Sequence, residues 1–137
     1  MTTIKPNASQ KLPLVFRWDT FPMDLSHPPG RFKVSRFNYL VRDREAKVIM
    51  GFWEAEAGEE IVGETVGLDT ADELMILLDG RLYVSAPGEE DCLAKPGDVI
   101  AAMHYRRARI VAKERALSFF VSFNIDVGAL ERIHNLE

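Results

Sequence analysis

Glu73-Leu74-Met75-Ile76-Leu77-Leu78-Asp79-Gly80 is the stretch on which the reading of this chain turns, with Lys95-Pro96-Gly97-Asp98-Val99-Ile100 as its companion. The first is an apolar run of strand length that opens on an acid and ends on Asp-Gly, a pair suited to a tight hairpin turn. The second is a Pro-Gly turn leading into an apolar, β-branched pair. Side chains on a strand alternate between faces, so Met75 and Leu77 share the side of Glu73, and Leu74, Ile76 and Leu78 take the other. Both faces are apolar, which predicts a strand covered on both sides, one of them open to a subunit contact. An ionised carboxylate beside Met75 and Leu77 is costly, so Glu73 is expected to titrate high or to find a donor from tyrosine, arginine or histidine.

Outward from this pair of segments the chain reads as short β-prone runs. Strands are expected near Phe32–Val41, Val48–Ala55, Ile61–Val66, Glu73–Leu78, Arg81–Ser85, Asp91–Ala94, Val99–Met103, Arg109–Ala112 and Leu117–Asn124. Gly58-Glu59, Asp79-Gly80, Pro87-Gly88 and Pro96-Gly97 stop them. Strands so short and regular, without helical stretches between them, predict an all-β sandwich or barrel. One terminal helix is expected, with Asp126 as N-cap and Val127, Leu130, Ile133 and Leu136 on one edge. Five of the seven prolines, at 6, 13, 22, 28 and 29, fall in the first thirty residues. Proline removes a ladder donor, so residues 1–30 are expected to be an extended arm, 31–125 the barrel and 126–137 the helix.

The 137 residues suit one domain, and 47% hydrophobic with 28% charged residues is an ordinary globular balance. No apolar run approaches the ~18 residues of a membrane span, and the opening MTTIKPNASQKL lacks the apolar core of a secretory signal. A cytoplasmic protein with no membrane partner is expected. Residues 54–98 carry thirteen acidic and two basic side chains, which argues against a nucleic-acid partner. Arg106, Arg107 and Arg109 are a local basic exception, open between a solvated turn, an anion-binding rim and a subunit contact. Cys92 stands alone among Glu89, Glu90 and Asp91, acids that oppose thiolate formation, so it is not read as a nucleophile.

The glutamate separated by six residues from Gly80, followed by Pro96-Gly97-Asp98 and two apolar residues, resembles the two elements of the cupin superfamily. Gly51-Phe52-Trp53-Glu54-Ala55-Glu56-Ala57-Gly58 and Leu117–Phe123 look like the lead-in and closing strands of small single-domain cupins of the ethanolamine-utilisation type. The likeness covers roughly residues 48–124. It implies a double-stranded β-helix, or jelly-roll barrel, with a pocket in its mouth, flanked here by the proline-rich arm and the short helix. It also implies a homodimer, paired through a barrel sheet or by exchange of arms.

Metal-binding cupins carry a His-x-His pair before the glutamate and a further histidine after the second element. Here those places fall on Val66-Gly67-Leu68-Asp69 and near Ala108, so only Glu73 remains of the usual set. No cofactor is therefore expected, since a catalytic metal usually needs about three protein ligands. If a divalent metal is held at all, the candidate ligands are Asp69, Glu73 and His104; His27 and His134 lie outside the barrel region. Glu73 is the candidate catalytic acid or base, with a ligand anchor and a structural remnant as the other readings. Trp53, Asp69, Met75, His104, Tyr105 and Phe119 are the candidate ligand-binding residues, with Tyr39 and Tyr83 as further aromatic neighbours. The function implied is a small-molecule-binding cupin without a catalytic metal, an isomerase, lyase or hydrolase of a catabolic pathway. The alternative is a non-catalytic binding or assembly protein with a vestigial pocket.

Overall fold

The computed structural model describes residues 36–62 and 71–133, together with 15, 17 and 19. The proline-rich arm, Asp69, His27, His134 and the outer parts of the expected strands at 32–35 and 63–66 lie outside the described residues. Nine strands form where the turn glycines and apolar runs place them: β1 Arg36–Asp43, β2 Val48–Ala55, β3 Glu60–Val62, β4 Asp72–Asp79, β5 Leu82–Ser85, β6 Cys92–Ala94, β7 Val99–Ala102, β8 Arg109–Ala112 and β9 Ala116–Phe123. A 3-10 turn covers His104–Arg106, and helix α1 spans Val127–Ile133. Asp126 caps that helix as its sequence position suggests, accepting from the Ala129 N–H at 2.9 Å.

The strands build two sheets, a five-stranded one in the order β1-β2-β9-β4-β7 and a four-stranded one in the order β3-β8-β5-β6. All their pairings are antiparallel. The inner faces share one core, to which β4 contributes Met75 and Leu77 as strand alternation requires. Leu82, Ala94, Ile110 and Ala112 face them from the smaller sheet, and α1 adds Val127 and Leu130. The outer face of the large sheet carries a second apolar cluster of Leu40, Val41, Phe52 and Leu117. From β4 this outer cluster takes Leu78, while Leu74 on the same side is exposed. A bulge between Tyr39 and Val41 lets the consecutive Leu40 and Val41 both join the outer cluster, after which Arg42 returns to the inner side opposite Ile49.

Register arranges the inner face of the large sheet in three rungs. The first runs Arg42, Ile49, Ser122, Glu73, Ala102; the second Tyr39, Gly51, Phe120, Met75, Ile100; the third Phe37, Trp53, Ser118, Leu77. Gly51 has no freedom to be otherwise, because a Cβ there would lie 1.7 Å from the Asn38 carbonyl oxygen. The first rung lies at the end of the sheet where α1 begins, and the Ile125 N–H donates to the Lys47 carbonyl between β1 and β2 at 3.3 Å. Register therefore places Glu73 near the rim of the barrel and Trp53 further in.

Gly80 and Gly97 separate two demands that a turn glycine can meet. Both adopt positive φ, +89° and +95°, but a Cβ at Gly80 would meet the Arg115 carbonyl oxygen at 2.2 Å, whereas at Gly97 it would meet nothing within 4 Å. Gly97→Ala should cost about 1–2 kcal/mol of backbone strain. Gly80→Ala, which adds a backbone clash, should cost about 3 kcal/mol or more. Urea denaturation of the two variants beside the parent checks the order, and equal losses would refute it.

Candidate functional site

Glu73 is half-buried on the inner face. The register that pairs β4 with β9 puts Ser122 opposite it, and the Ser122 hydroxyl donates to Glu73 Oε2 at 3.0 Å. One neutral donor does not replace the water that a carboxylate loses on burial. Desolvation accordingly pushes the Glu73 carboxyl up to about 7, with the serine hydrogen bond opposing part of the rise. Tyr39, buried on the next rung, is held in its neutral phenol form, first by burial and then by the Glu73 charge, while Arg42 acts the other way. Its ring stacks on Phe37 at 5.4 Å and meets Phe120 edge-on at 6.2 Å. Around this small polar group the inner wall is apolar: Ile49, Met75, Ile100 and Phe120 are all core residues.

Asp72, one residue earlier, faces the other way and meets the opposite environment. Its carboxylate accepts the His104 backbone N–H at 3.0 Å, the His104 Nδ1 at 2.8 Å and the Asn124 amide at 3.0 Å. The His104 backbone donor first, then its ring and Asn124, hold the Asp72 carboxyl down at about 2. An ionised carboxylate only accepts, so the His104 ring carries a proton on Nδ1. Tyr105 packs edge-on against that ring at 5.8 Å and is 73% exposed.

The structure thus distributes the candidate residues of the sequence reading. Glu73 and Met75 lie on neighbouring rungs of the inner face, and Trp53 lies on the third, some 13 Å from Glu73 along the strands by the ordinary rise per residue. His104 is bonded to Asp72, on the face away from Glu73, with Tyr105 beside it. Phe119 packs on the outer face against Phe52, 5.4 Å between ring centroids. Asp69 is not among the described residues. Tyr83 is at the surface, bonded to Asp91 at 2.7 Å. The arginine cluster is divided: Arg106 is bonded to Glu89 and to the Ala101 carbonyl, and Arg109 to Glu60. Cys92 is exposed on β6. Ser122, Asp72 and Asn124 were not singled out by sequence. The one available signal was the spacing of Ser118 and Ser122, two hydroxyls at matching parity in the otherwise apolar run of β9.

Among the described residues no group of three histidine, cysteine, aspartate or glutamate side chains is arranged to hold a metal ion. The geometry gives the reason, since His104 spends Nδ1 on Asp72 and that pair is turned away from Glu73. Of the mixed site, Asp69 lies outside the described residues, and Glu73 and the His104–Asp72 pair lie on opposite sides of β4.

No family model and no curated protein matches the sequence. Solved structures do match. Ectoine synthase from P. lautus superposes with a TM-score of 0.63 at 14% identity, covering 90% of this chain and 86% of that one. A Salmonella typhimurium LT2 protein described as a candidate ethanolamine utilization protein Q gives 0.57 at 18% identity, covering 88% and 97%. The Schizosaccharomyces pombe Cnp3 cupin domain gives 0.57 at 13% identity, covering 89% and 77%. The fold is that of the cupins. Within this cupin barrel β4 and the Pro96-Gly97 turn occupy the places that their sequence suggests, and the Gly97 N–H donates to the Leu77 carbonyl at 2.8 Å. Among the described residues no helix is long and apolar enough to cross a membrane.

The two neighbouring acids should write opposite signatures into stability. The Glu73 pKa is raised on folding, so its stabilising effect is full below the ordinary 4.5 and is lost as pH rises through about 7. Glu73→Gln should match the parent in stability below pH 4.5 and exceed it above pH 8, by at most on the order of 3 kcal/mol. The Asp72 pKa is lowered, so its contribution is present above the ordinary 3.8 and is lost as pH falls through about 2. Asp72→Asn should remove that acid-side slope and leave the Glu73 slope intact. Denaturation midpoints across pH 2–9 measure both.

Proposed function

We propose that this cupin barrel binds a small molecule at its rim and that the Glu73 carboxyl is the group that meets it. One observation carries the reading: a carboxyl sits on the inner wall with the Ser122 hydroxyl as its hydrogen-bond donor and the Tyr39 phenol on the next rung, and burial there pushes it up to about 7. At neutral pH such a group supplies a proton from one fraction of molecules and accepts one in the rest, the condition for general acid–base work. Tyr39 and Ser122 offer neutral hydroxyls that orient a polar ligand without fixing its charge. The apolar surround of Ile49, Met75 and Phe120 supplies the dry wall against which those few polar groups become specific. A proton-transfer reaction, an isomerisation, elimination or hydrolysis, is the chemistry these side chains can serve without any further group.

Thermal-shift screening against small carboxylates, amines and sugars tests the reading. A ligand at a hundred times its dissociation constant should add about 2.7 kcal/mol of stability and raise the melting temperature by several degrees. Glu73→Ala should abolish that rise. Failure of every compound to stabilise the parent, or an undiminished rise in Glu73→Ala, would reject it.

A homodimer joined through the outer face of β4 and β7 belongs to the same proposal. Leu74 and Val99 are 39% and 64% exposed there, diagonal apolar neighbours on a sheet that ends, among the described residues, at β7. The parent should elute from size exclusion with light scattering at twice the chain mass, and Leu74→Lys with Val99→Lys at the chain mass. A monomeric parent would exclude the dimer.

A further inference from the structure

Deeper in the barrel, the third rung holds two polar atoms that the rim does not explain. Trp53 is 2% exposed and Ser118 is fully buried, and the two residues face each other across the β2–β9 pairing. Neither the Trp53 indole Nε1 nor the Ser118 Oγ has a hydrogen-bond partner among the described residues. Phe37 and Leu77, their neighbours on that rung, offer no polar side-chain atom. An unsatisfied buried donor costs roughly 1–3 kcal/mol, and native cores hold few such groups. Two of them, side by side on one rung and pointing to one face, call for a shared explanation.

We infer that Trp53 Nε1 and Ser118 Oγ form an inner polar subsite that takes one neutral oxygen atom, accepted between the indole N–H and the serine hydroxyl. The donor inventory fixes the chemistry. An indole N–H can only donate, so its guest must accept, which excludes an ammonium group or a metal cation at this point. The serine hydroxyl donates or accepts, so it completes the coordination of a water, an alcohol or a carbonyl alike. No charged side chain stands on the rung, so an anion would be buried without compensation. The second rung, with Tyr39, Phe120, Met75 and Ile100 all buried, lies between this subsite and the rim. A buried water, or the inner oxygen of a rim ligand, shares that chemistry. The subsite stands whether or not Glu73 binds a ligand.

Nuclear magnetic resonance of the full chain, labelled with nitrogen-15, tests it on the indole proton itself. The chain has two tryptophans, so Trp18→Phe assigns the Trp53 signal. A resident water should give a direct cross-peak between the Trp53 indole proton and the water resonance in a rotating-frame Overhauser spectrum. A subsite open to ligand oxygen should instead show a saturable downfield shift of that proton with acetone or ethylene glycol, and none with tetramethylammonium chloride. Either result supports the inference, and Ser118→Ala should remove at least half of the cross-peak or of the shift. If the parent shows neither a water cross-peak nor a response to the oxygen probes, the subsite is dry and the inference falls. A response to tetramethylammonium equal to that of the oxygen probes would overturn it as well. Both decisive spectra are recorded on chains that keep Trp53 and Ser118, so poor folding of the serine variant would not blunt the test.

Discussion

Alternation of side chains along a strand is the constraint from which the rest of this molecule follows. β4 begins with two acids in succession, Asp72 and Glu73, and the backbone can place only one of them inside the barrel. Met75 and Leu77 are core residues, which commits Glu73 to the interior and Asp72 to the other side. A shift of register by one residue would exchange them and bring Leu74 and Ile76 inward instead. The chain resists that shift at both ends of the segment. Asp72 is tied to His104 and Asn124 at one end, and Gly80 lies against the Arg115 carbonyl at the other.

The two acids then diverge because their surroundings supply different things. Asp72 receives three hydrogen bonds from fixed donors, one of them a backbone N–H, and its charged form is favoured over water. Glu73 receives one, from a hydroxyl, and is desolvated by the wall around it. Titration positions several pH units apart, on adjacent residues, arise without any difference in the side chains' intrinsic acidity. Asp72 acts as a stitch: it fastens the turn after β7 and the end of β9 to the start of β4. Glu73 is left as the group with unmet demand.

Much of the fold is legible in the sequence because Gly58, Gly80, Gly88 and Gly97 mark four of the reversals and the runs between them have strand length, although the β1–β2, β7–β8 and β8–β9 turns contain neither glycine nor proline. Gly80 and Gly97 are required by positive φ, and a residue type with that freedom is visible before any coordinates are known. The inward parity of β4 is legible too, since Asp79-Gly80 fixes where the strand ends. The parity of β9 is not. Ala116 to Phe123 is apolar at nearly every position, so nothing in the run says whether Phe119 or Phe120 looks inward. Phe119 is a natural candidate for the pocket by composition, and pairing with β2 and β4 turns it to the outer face. Ser122 escapes notice for the same reason. Its role comes from lying opposite Glu73, and cross-strand register depends on the bulges and turn lengths of strands far away in sequence. His104 is a case of local legibility without context. Its position after β7 is readable, but its partner is set by a 3-10 turn that carries the ring to Asp72.

Separation of the site from the core explains how a barrel of this kind can keep its shape while its chemistry changes. The second and third rungs, the smaller sheet and the buried face of α1 supply most of the apolar contact, and these do not depend on the identity of the rim residues. On the first rung itself the local balance is electrostatic, because the Glu73 carboxyl lies there with the Ser122 hydroxyl opposite it. A cation bound there would compensate the Glu73 charge and hold its carboxyl ionised, because a metal ion outweighs the other charges of its site. Without imidazoles to recruit one, the same carboxyl in the same wall must satisfy itself with a hydroxyl and a proton. Burial alone, with no change in the side chain, thus pushes the Glu73 carboxyl toward neutrality while its neighbour Asp72 is held low.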